Sequence, residues 1–510
     1  MRSSIAKPAT LLGFLLISIA LLPFFRYHSN PDAAAYLRIA SYYQKGQFDI
    51  AINGIWSPMI SWLLVPFYAA GLPWMVAFRL LNILIAFGCL YKLYQIIDEF
   101  FSDLSQFSRN WLMLTFATQL LILHLNTITP DLLALCLILF LLYEFLAGKF
   151  YKYPVKTGFL GALLYFSKAY CFYFFLAVIG LYSIFFWSKN RWRWKLLPIK
   201  PLLITGLVFF TLSGIWIWAL HHKYGVWELS TAPGYNYAVM DARGEVHQPY
   251  DVHPKLMALP YPQAFCLWED PQAVYHLNGN LRGKNIFAVL GANLKRLYVM
   301  MRNFYSGFLL LLPILIYLLI RNKNKMAEWF GAAYKNIILF TGLYISGYML
   351  IFVEGRYIWL LLFVIILLLF KCMDLLRLWR YPRLVKVLPV VAAGYFFLVS
   401  GYFIWTHFNV EKQENIYIKQ LAEAIPPESH FATWYTQDLW SPGYLYHWHH
   451  YGGIASYPNW DSLKDDLHTF RIDYIIIKDP SYTSLVPKDL LSHLRLFTQA
   501  GDMKVFKILW

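Results

Sequence analysis

Charge is scarce in this sequence: 14% of its 510 residues are Asp, Glu, Lys or Arg, whereas about a quarter of an ordinary soluble domain is charged. That shortage, together with apolar runs of membrane-spanning length, excludes a soluble enzyme, a disordered tail and a coiled coil. Cysteine is equally sparse, with five in the chain. Cys89, Cys136, Cys171 and Cys372 fall inside apolar runs and Cys266 stands alone in a polar loop. No disulfide framework and no metal-ligand spacing can be read from that pattern. No internal repeat or low-complexity tract is visible, so nothing points to an inverted-repeat transporter. A Walker or dinucleotide glycine signature is also missing, and no nucleotide site is expected.

What the chain has in abundance is apolar and aromatic surface, at 59% and 19% of residues. Apolar runs lie at 9–25, 74–97, 111–127, 131–148, 202–222, 303–320, 336–353, 357–374 and 386–406. Each approaches the roughly 20 residues that a transmembrane helix needs. The net charge of +16 (44 Lys+Arg less 28 Asp+Glu) would suggest nucleic acid in a soluble protein. Here the basic residues sit in short loops between apolar runs, where they set orientation across a bilayer, so no nucleic-acid partner is expected.

Loop charge fixes the topology. Arg2 and Lys7 hold the N-terminus in the cytoplasm; the competing reading is a cleaved signal peptide with Ala33-Ala34-Ala35 as its small-residue site. The loops Lys149…Lys156, Lys189…Lys195, Arg321…Lys325 and Arg377…Lys386 are cytoplasmic by the same rule. The stretch 155–187 has such loops at both ends, so it must cross and return, turning near Ser167-Lys168-Ala169. The parity then gives about eleven spans over residues 1–406. It leaves residues 27–73, 126–131, 223–302 and everything from 407 on the far side. The tail 407–510 alternates short apolar strands (430–435, 473–478, 503–509) with helical segments at 411–424 and from Asp461 and Pro487, which reads as a small extracytoplasmic α/β domain.

Polar residues worth chemistry collect on that far side. Asp32 follows the first span and opens a helix whose Tyr36, Leu37 and Ala40 could lie on the membrane surface. Its carboxylate can act as a general base on a hydroxyl, hold a metal ion, or simply cap the helix. Asp131, after Thr129-Pro130, offers a second carboxylate with the same capping alternative. Lys168, Arg79 near the end of its helix and Arg356 in Glu354-Gly355-Arg356-Tyr357 are cations on the side where the positive-inside rule does not place them. A guanidinium fork suits a phosphate, although Arg356 could pair with Glu354 and all three cations could snorkel. His447-Trp448-His449-His450 looks like a metal cluster, but no further ligand lies at helical spacing and Trp448 suits a lipid-facing surface. His221-His222, His247 and His253 read as loop or interface residues.

The order of these pieces resembles the GT-C glycosyltransferases, polytopic enzymes that use polyprenyl-phosphate sugars, in particular the branch with protein O-mannosyltransferases and aminoarabinose transferases. The matching pieces are Asp32 with Tyr36-Leu37, Gly46, Trp56-Ser57-Pro58, Arg79-Leu80-Leu81-Asn82, Thr129-Pro130-Asp131, Gly161…Tyr165-Phe166-Ser167-Lys168 and Glu354-Gly355-Arg356-Tyr357. The resemblance implies an all-α polytopic membrane protein of GT-C type with a small extracytoplasmic α/β domain. It implies Asp32 as catalytic carboxylate, with Asp131 beside it. Arg356, Lys168 and Arg79, with Glu354, Tyr357 and Trp56 around them, form the donor site. Two departures stand out: Ala33 follows Asp32 where many relatives pair two acids, and Ser57 stands where the aminoarabinose enzymes carry a lysine.

The expected reaction is an inverting transfer from a polyprenyl monophosphate sugar to a hydroxyl on a protein, lipid or glycan acceptor. It takes place among membrane lipids at the outer face of a bacterial inner membrane, with the loop 223–302 over the acceptor channel. A divalent metal ion is a candidate cofactor, and its ligands are open. The competing readings are a transporter or flippase for lipid-linked sugars and an O-antigen polymerase or ligase, which uses diphosphate-linked glycans.

Overall fold

The computed structural model describes residues 6–25, 31–189, 198–238, 240, 255–275, 285–309, 316, 320, 330–376, 382–434, 447–478 and 488–510. The expectations for loop residues 190–195 and 321–325, for Arg377 and Arg380, for His247 and His253, and for most of the run 303–320 lie outside them.

Eleven helices open the chain: α1 (Ala6–Phe25), α2 (Pro31–Gln44), α3 (Phe48–Ala51), α4 (Met59–Ala69), α5 (Trp74–Phe100), α6 (Gln106–Asn126), α7 (Asp131–Leu146), α8 (Pro154–Ser167), α9 (Cys171–Lys189), α10 (Ile199–Tyr224) and α11 (Ala232–Ala238). Long helices follow at Ile286–Leu309, Ala332–Tyr348, Trp359–Leu375 and Pro382–Ala424. Among the described residues six helices are long and apolar enough to cross a membrane: Lys7–Phe25, Trp74–Phe100, Cys171–Ser188, Ile199–Tyr224, Gly355–Leu375 and Arg383–His407. The chain is a multi-pass membrane protein. The expected hairpin in 155–187 is α8 and α9, broken at Lys168.

Local chemistry sets the helix ends. Pro154 takes the first position of α8, where its missing N–H costs nothing. Ser105 caps α6 by accepting the Ser108 N–H, and α10 stops at Gly225 in the left-handed region, φ +74°. One apolar core runs through α1, α4–α10 and the helices 332–348 and 359–375. The basic loop after α7 lies at the other end of that helix from Asp131, with Lys156 Nζ 2.6 Å from Glu144.

The first external segment is more structured than its sequence suggested. It contains the apolar helix α4, and α2 is interior rather than spread on the membrane surface: Tyr36, Leu37 and Ala40 are all buried. Ala33, Ala34 and Ala35 are buried with them. Tyr36, Leu37 and Ala40 join Ile60 and Leu64 of α4 in the main apolar core, and the segment 255–275 covers α2 at Ala34, Arg38 and Tyr42. Arg38 Nη2 donates to the Gln263 carbonyl (2.7 Å), its guanidinium stacks 3.7 Å from the Phe265 ring, and its Nε lies 3.5 Å from Glu269. Tyr42 Oη donates to Glu269 Oε2 (2.6 Å). Burial holds the Glu269 carboxyl above the usual carboxylate range against the pull of Arg38.

The helix Pro382–Ala424 continues from the membrane into the tail, so the expected boundary at 406/407 falls inside one helix, which ends just before Pro426-Pro427. Beyond it lies a five-stranded sheet ordered β2-β1-β3-β5-β4. Its strands are β1 (His430–Thr433), β2 (His449–Gly453), β3 (Tyr474–Lys478), β4 (Leu494–Ala500) and β5 (Met503–Ile508). β1 pairs in parallel with β2 and β3; β5 pairs antiparallel with β3 and β4. Trp448 is interior, packed against Phe431 at 6.0 Å, and does not face lipid. Segment 255–275 ties this sheet to the rest: Met257 N–H donates to Tyr451 O (2.9 Å) and His450 N–H to Phe265 O (2.6 Å).

Candidate functional site

Four separate stretches of chain deliver charge to one end of the helix bundle. Asp32 lies in the first turn of α2. Asp131 is the first residue of α7, where the helix dipole favours an anion, and it accepts a hydrogen bond from Thr129 Oγ1 at 2.8 Å. Lys168 sits in the break between α8 and α9 with an extended backbone. That break is pinned from the first loop, because the Ala169 N–H donates to Ser57 Oγ at 3.1 Å. Glu354, Arg356 and Tyr357 belong to a tight turn between the helices 332–348 and 359–375, closed by the Tyr357 N–H on the Glu354 carbonyl at 3.0 Å.

Arg356 is the centre of the group. Nη1 donates to Asp32, Nε donates to Glu354 Oε2 at 2.5 Å, and Nε lies 3.6 Å from Asp131. Lys168 Nζ donates to Asp131 and lies 3.5 Å from the centre of the Tyr357 ring. Tyr357 in turn stacks on Tyr348 at 4.7 Å. Three carboxylates thus face two cations in one partly buried cluster. Burial pushes the Glu354 carboxyl up, partly opposed by Arg356.

The structure therefore brings together Asp32, Asp131, Lys168, Glu354, Arg356 and Tyr357, as the sequence pattern expected. Two residues stand elsewhere. Arg79 is buried and donates through Nη1 to the carbonyls of His124 (3.2 Å) and Leu125 (2.5 Å), closing the C-terminal end of α6 where backbone acceptors lack helical partners. Trp56 is half-buried; its indole N–H donates to Trp268 O (2.8 Å) and its ring meets Tyr36 at 5.2 Å, so it buttresses the loop beneath Asp32. The sequence reading missed Ser57 as the clamp on the Lys168 break and Tyr348 as the platform under Tyr357. It also missed Gly347, where an added Cβ would clash with the edge of the Tyr170 ring, 2.5 Å from its Oη.

Among the described residues no group of three or more His, Cys, Asp or Glu side chains converges as a metal site. Asp32 and Asp131 are engaged by Arg356 and Lys168 instead. The histidines of 447–450 are tied into the tail domain: His449 bonds Glu428 (2.8 Å) and Ala264 O (2.7 Å), and His450 Nε2 lies 3.0 Å from Thr433 Oγ1.

A bundle of this topology with an extramembrane α/β tail has the polytopic GT-C-like fold. Two solved structures resemble the chain over almost its whole length. One is ArnT from Cupriavidus metallidurans bound to undecaprenyl phosphate, at 12% identity and a TM-score of 0.57, covering 98% of this chain and 97% of that one. The other is the apo state of the same protein, at 12% identity and a TM-score of 0.53, covering 97% and 98% respectively. No family model matches the sequence, and no curated protein matches it.

Proposed function

We propose that the protein is a glycosyltransferase that moves a sugar from a polyprenyl monophosphate to an acceptor hydroxyl, with inversion, on the outer face of a bacterial inner membrane. The observation that carries the reading is the contact between Asp32 and Arg356. It sets a lone first-loop acid against a guanidinium that a phosphate can claim, beside a second cation. In support, the ArnT structure of similar fold holds a lipid of this class, undecaprenyl phosphate.

The donor phosphate takes the fork of Arg356 and the ammonium of Lys168, and so displaces Asp32 from Arg356. Released from the guanidinium, the Asp32 carboxylate is open to accept the acceptor's proton. The acceptor oxygen bonds the anomeric carbon as the bond to the phosphate oxygen breaks, and the polyprenyl phosphate leaves with that electron pair. Arg356 and Lys168 stabilise the charge that builds on it, worth several kcal/mol in a site poor in water. Asp131 pairs with Lys168 and orients it, and the Tyr357 ring lies against the ammonium.

The reading is tested with purified protein and paired donors. Transfer is expected from a polyprenyl monophosphate sugar, and Asp32→Asn should lower kcat by about 100-fold or more while donor binding is retained. Transfer from the diphosphate donor alone would assign a polymerase or ligase. Transport without transfer, indifferent to Asp32→Asn, would assign a carrier.

A further inference from the structure

The turn that carries Glu354 and Arg356 is reached through a short link, 349–353, whose backbone has left the helix 332–348. The last carbonyls of any helix lack intrahelical partners and must find others. Here Tyr170 Oη and the N–H groups of Met349, Leu350 and Ile351 take the carbonyls of Tyr344, Ile345, Gly347 and Tyr348, which leaves the carbonyls of the link itself to be met by side chains. Asn293, fully buried on the helix Ile286–Leu309, donates from Nδ2 to Met349 O (2.9 Å) and to Ile351 O (3.4 Å). Its Oδ1 accepts the Val353 N–H (3.1 Å). The carboxamide therefore spans the link from end to end, using both donor and acceptor.

Its own orientation is fixed in turn. Arg296, one turn along the same helix, donates from Nη1 to Asn293 Oδ1 (3.0 Å) and lays its guanidinium 4.6 Å from the Phe352 ring. Ile351 packs against Val289 of the same helix and Tyr237 of α11, and Tyr237 Oη donates to Leu350 O (3.3 Å). From Val353 three residues lead to Arg356, and the closed turn at Glu354–Tyr357 leaves them little freedom.

We infer that Asn293 is a positioning residue for the phosphate-binding arginine: it fixes the link 349–353 and thereby aims Arg356 at Asp32 and Asp131. The inference rests on the donor-site reading above and adds to it a residue remote from the reacting atoms. It also makes the helix 286–309, which follows the external loop, the scaffold for the pocket. Only a side chain with both an N–H₂ and a carbonyl serves all three bonds. Asp lacks the donors and would set a carboxylate against two carbonyls, and Ala offers nothing.

The test is a double-mutant cycle on binding of undecaprenyl phosphate to the full-length protein in nanodiscs, using N293A, R356A and the pair. If Asn293 acts through Arg356, N293A weakens binding by about tenfold, R356A by more, and the double variant binds no worse than R356A. Wild-type binding by N293A, or losses that multiply in the pair, overturns the inference. A structural role alone would give losses that multiply, because damage to packing does not need Arg356. Hydrogen exchange over 349–357 is measured alongside: N293A should lose protection there and keep it in α5 and α7, which also reports that the variant is folded. If the wild type does not bind undecaprenyl phosphate, the donor reading fails, and unchanged exchange over 349–357 in N293A or N293D would still overturn the role of Asn293.

Discussion

Arg356 touches carboxylates from α2, from the start of α7 and from its own turn, and its two kinds of chemistry can be separated by substitution. Arg356→Lys keeps the charge but loses the planar fork. Donor KM should rise by about 10- to 100-fold while the protein stays folded, as read by steady-state kinetics against the polyprenyl monophosphate donor. Lys168 differs, because its main partner is the buried Asp131. Lys168→Met leaves that carboxylate short of a cation and should lower stability by about 3 kcal/mol, whereas adding Asp131→Asn should recover most of the loss. Thermal unfolding of the two variants decides this, and a single variant no less stable than the double would contradict the pairing. Of the cations singled out from sequence, the structure gives Arg356 and Lys168 carboxylate partners in one cluster, in keeping with the rule that a charge between two apolar helices needs a partner. Arg79 has the same signature and a different partner. The open carbonyls at the end of α6 satisfy a guanidinium as well as an anion does, and one sequence does not distinguish the two.

At the scale of elements, the spans were legible because lipid imposes a strict rule: backbone groups must be paired within the segment, so apolar runs become helices. The break at Lys168 was legible for the related reason that a loop charged at both ends demands an even number of crossings. The tail was legible in part. β1, β3 and β5 show as short β-branched or aromatic runs. β2 is His449-His450-Tyr451-Gly452-Gly453, a composition that suggests ligands or a turn, and it becomes a strand because β1 and segment 255–275 pair its backbone. His450 supplies a test of that burial. Desolvation pushes its imidazole down from 6.5 to about 3. It is neutral in the fold at every pH above that value, while the unfolded chain takes up a proton below about 6.5. Stability of the tail domain should therefore be unaffected above pH 6.5 and fall as pH drops below it, by at most about 1.4 kcal/mol per pH unit. His450→Gln should flatten the slope in a pH series of thermal unfolding.

For the whole molecule, the parts that resisted sequence reading are those in which polar residues are buried by distant chain. Arg38 and Glu269 are more than 200 residues apart and meet only because segment 255–275 folds over α2. No periodicity within α2 announces that cover: its apolar residues suit a membrane surface as well as a protein interior. The architecture nonetheless converges on one claim. Segments from the first loop, the α6–α7 connection, the α8–α9 break and the turn at 354–357 bring their charges together, and the proposed function makes that cluster an anion site facing Asp32. A cryo-electron microscopy map of the protein with undecaprenyl phosphate bound tests it most directly. Phosphate density within hydrogen-bond reach of Arg356 and Lys168, with Asp32 released from the guanidinium, is the result this account predicts. A phosphate held elsewhere, with the Asp32–Arg356 pair intact, would contradict it.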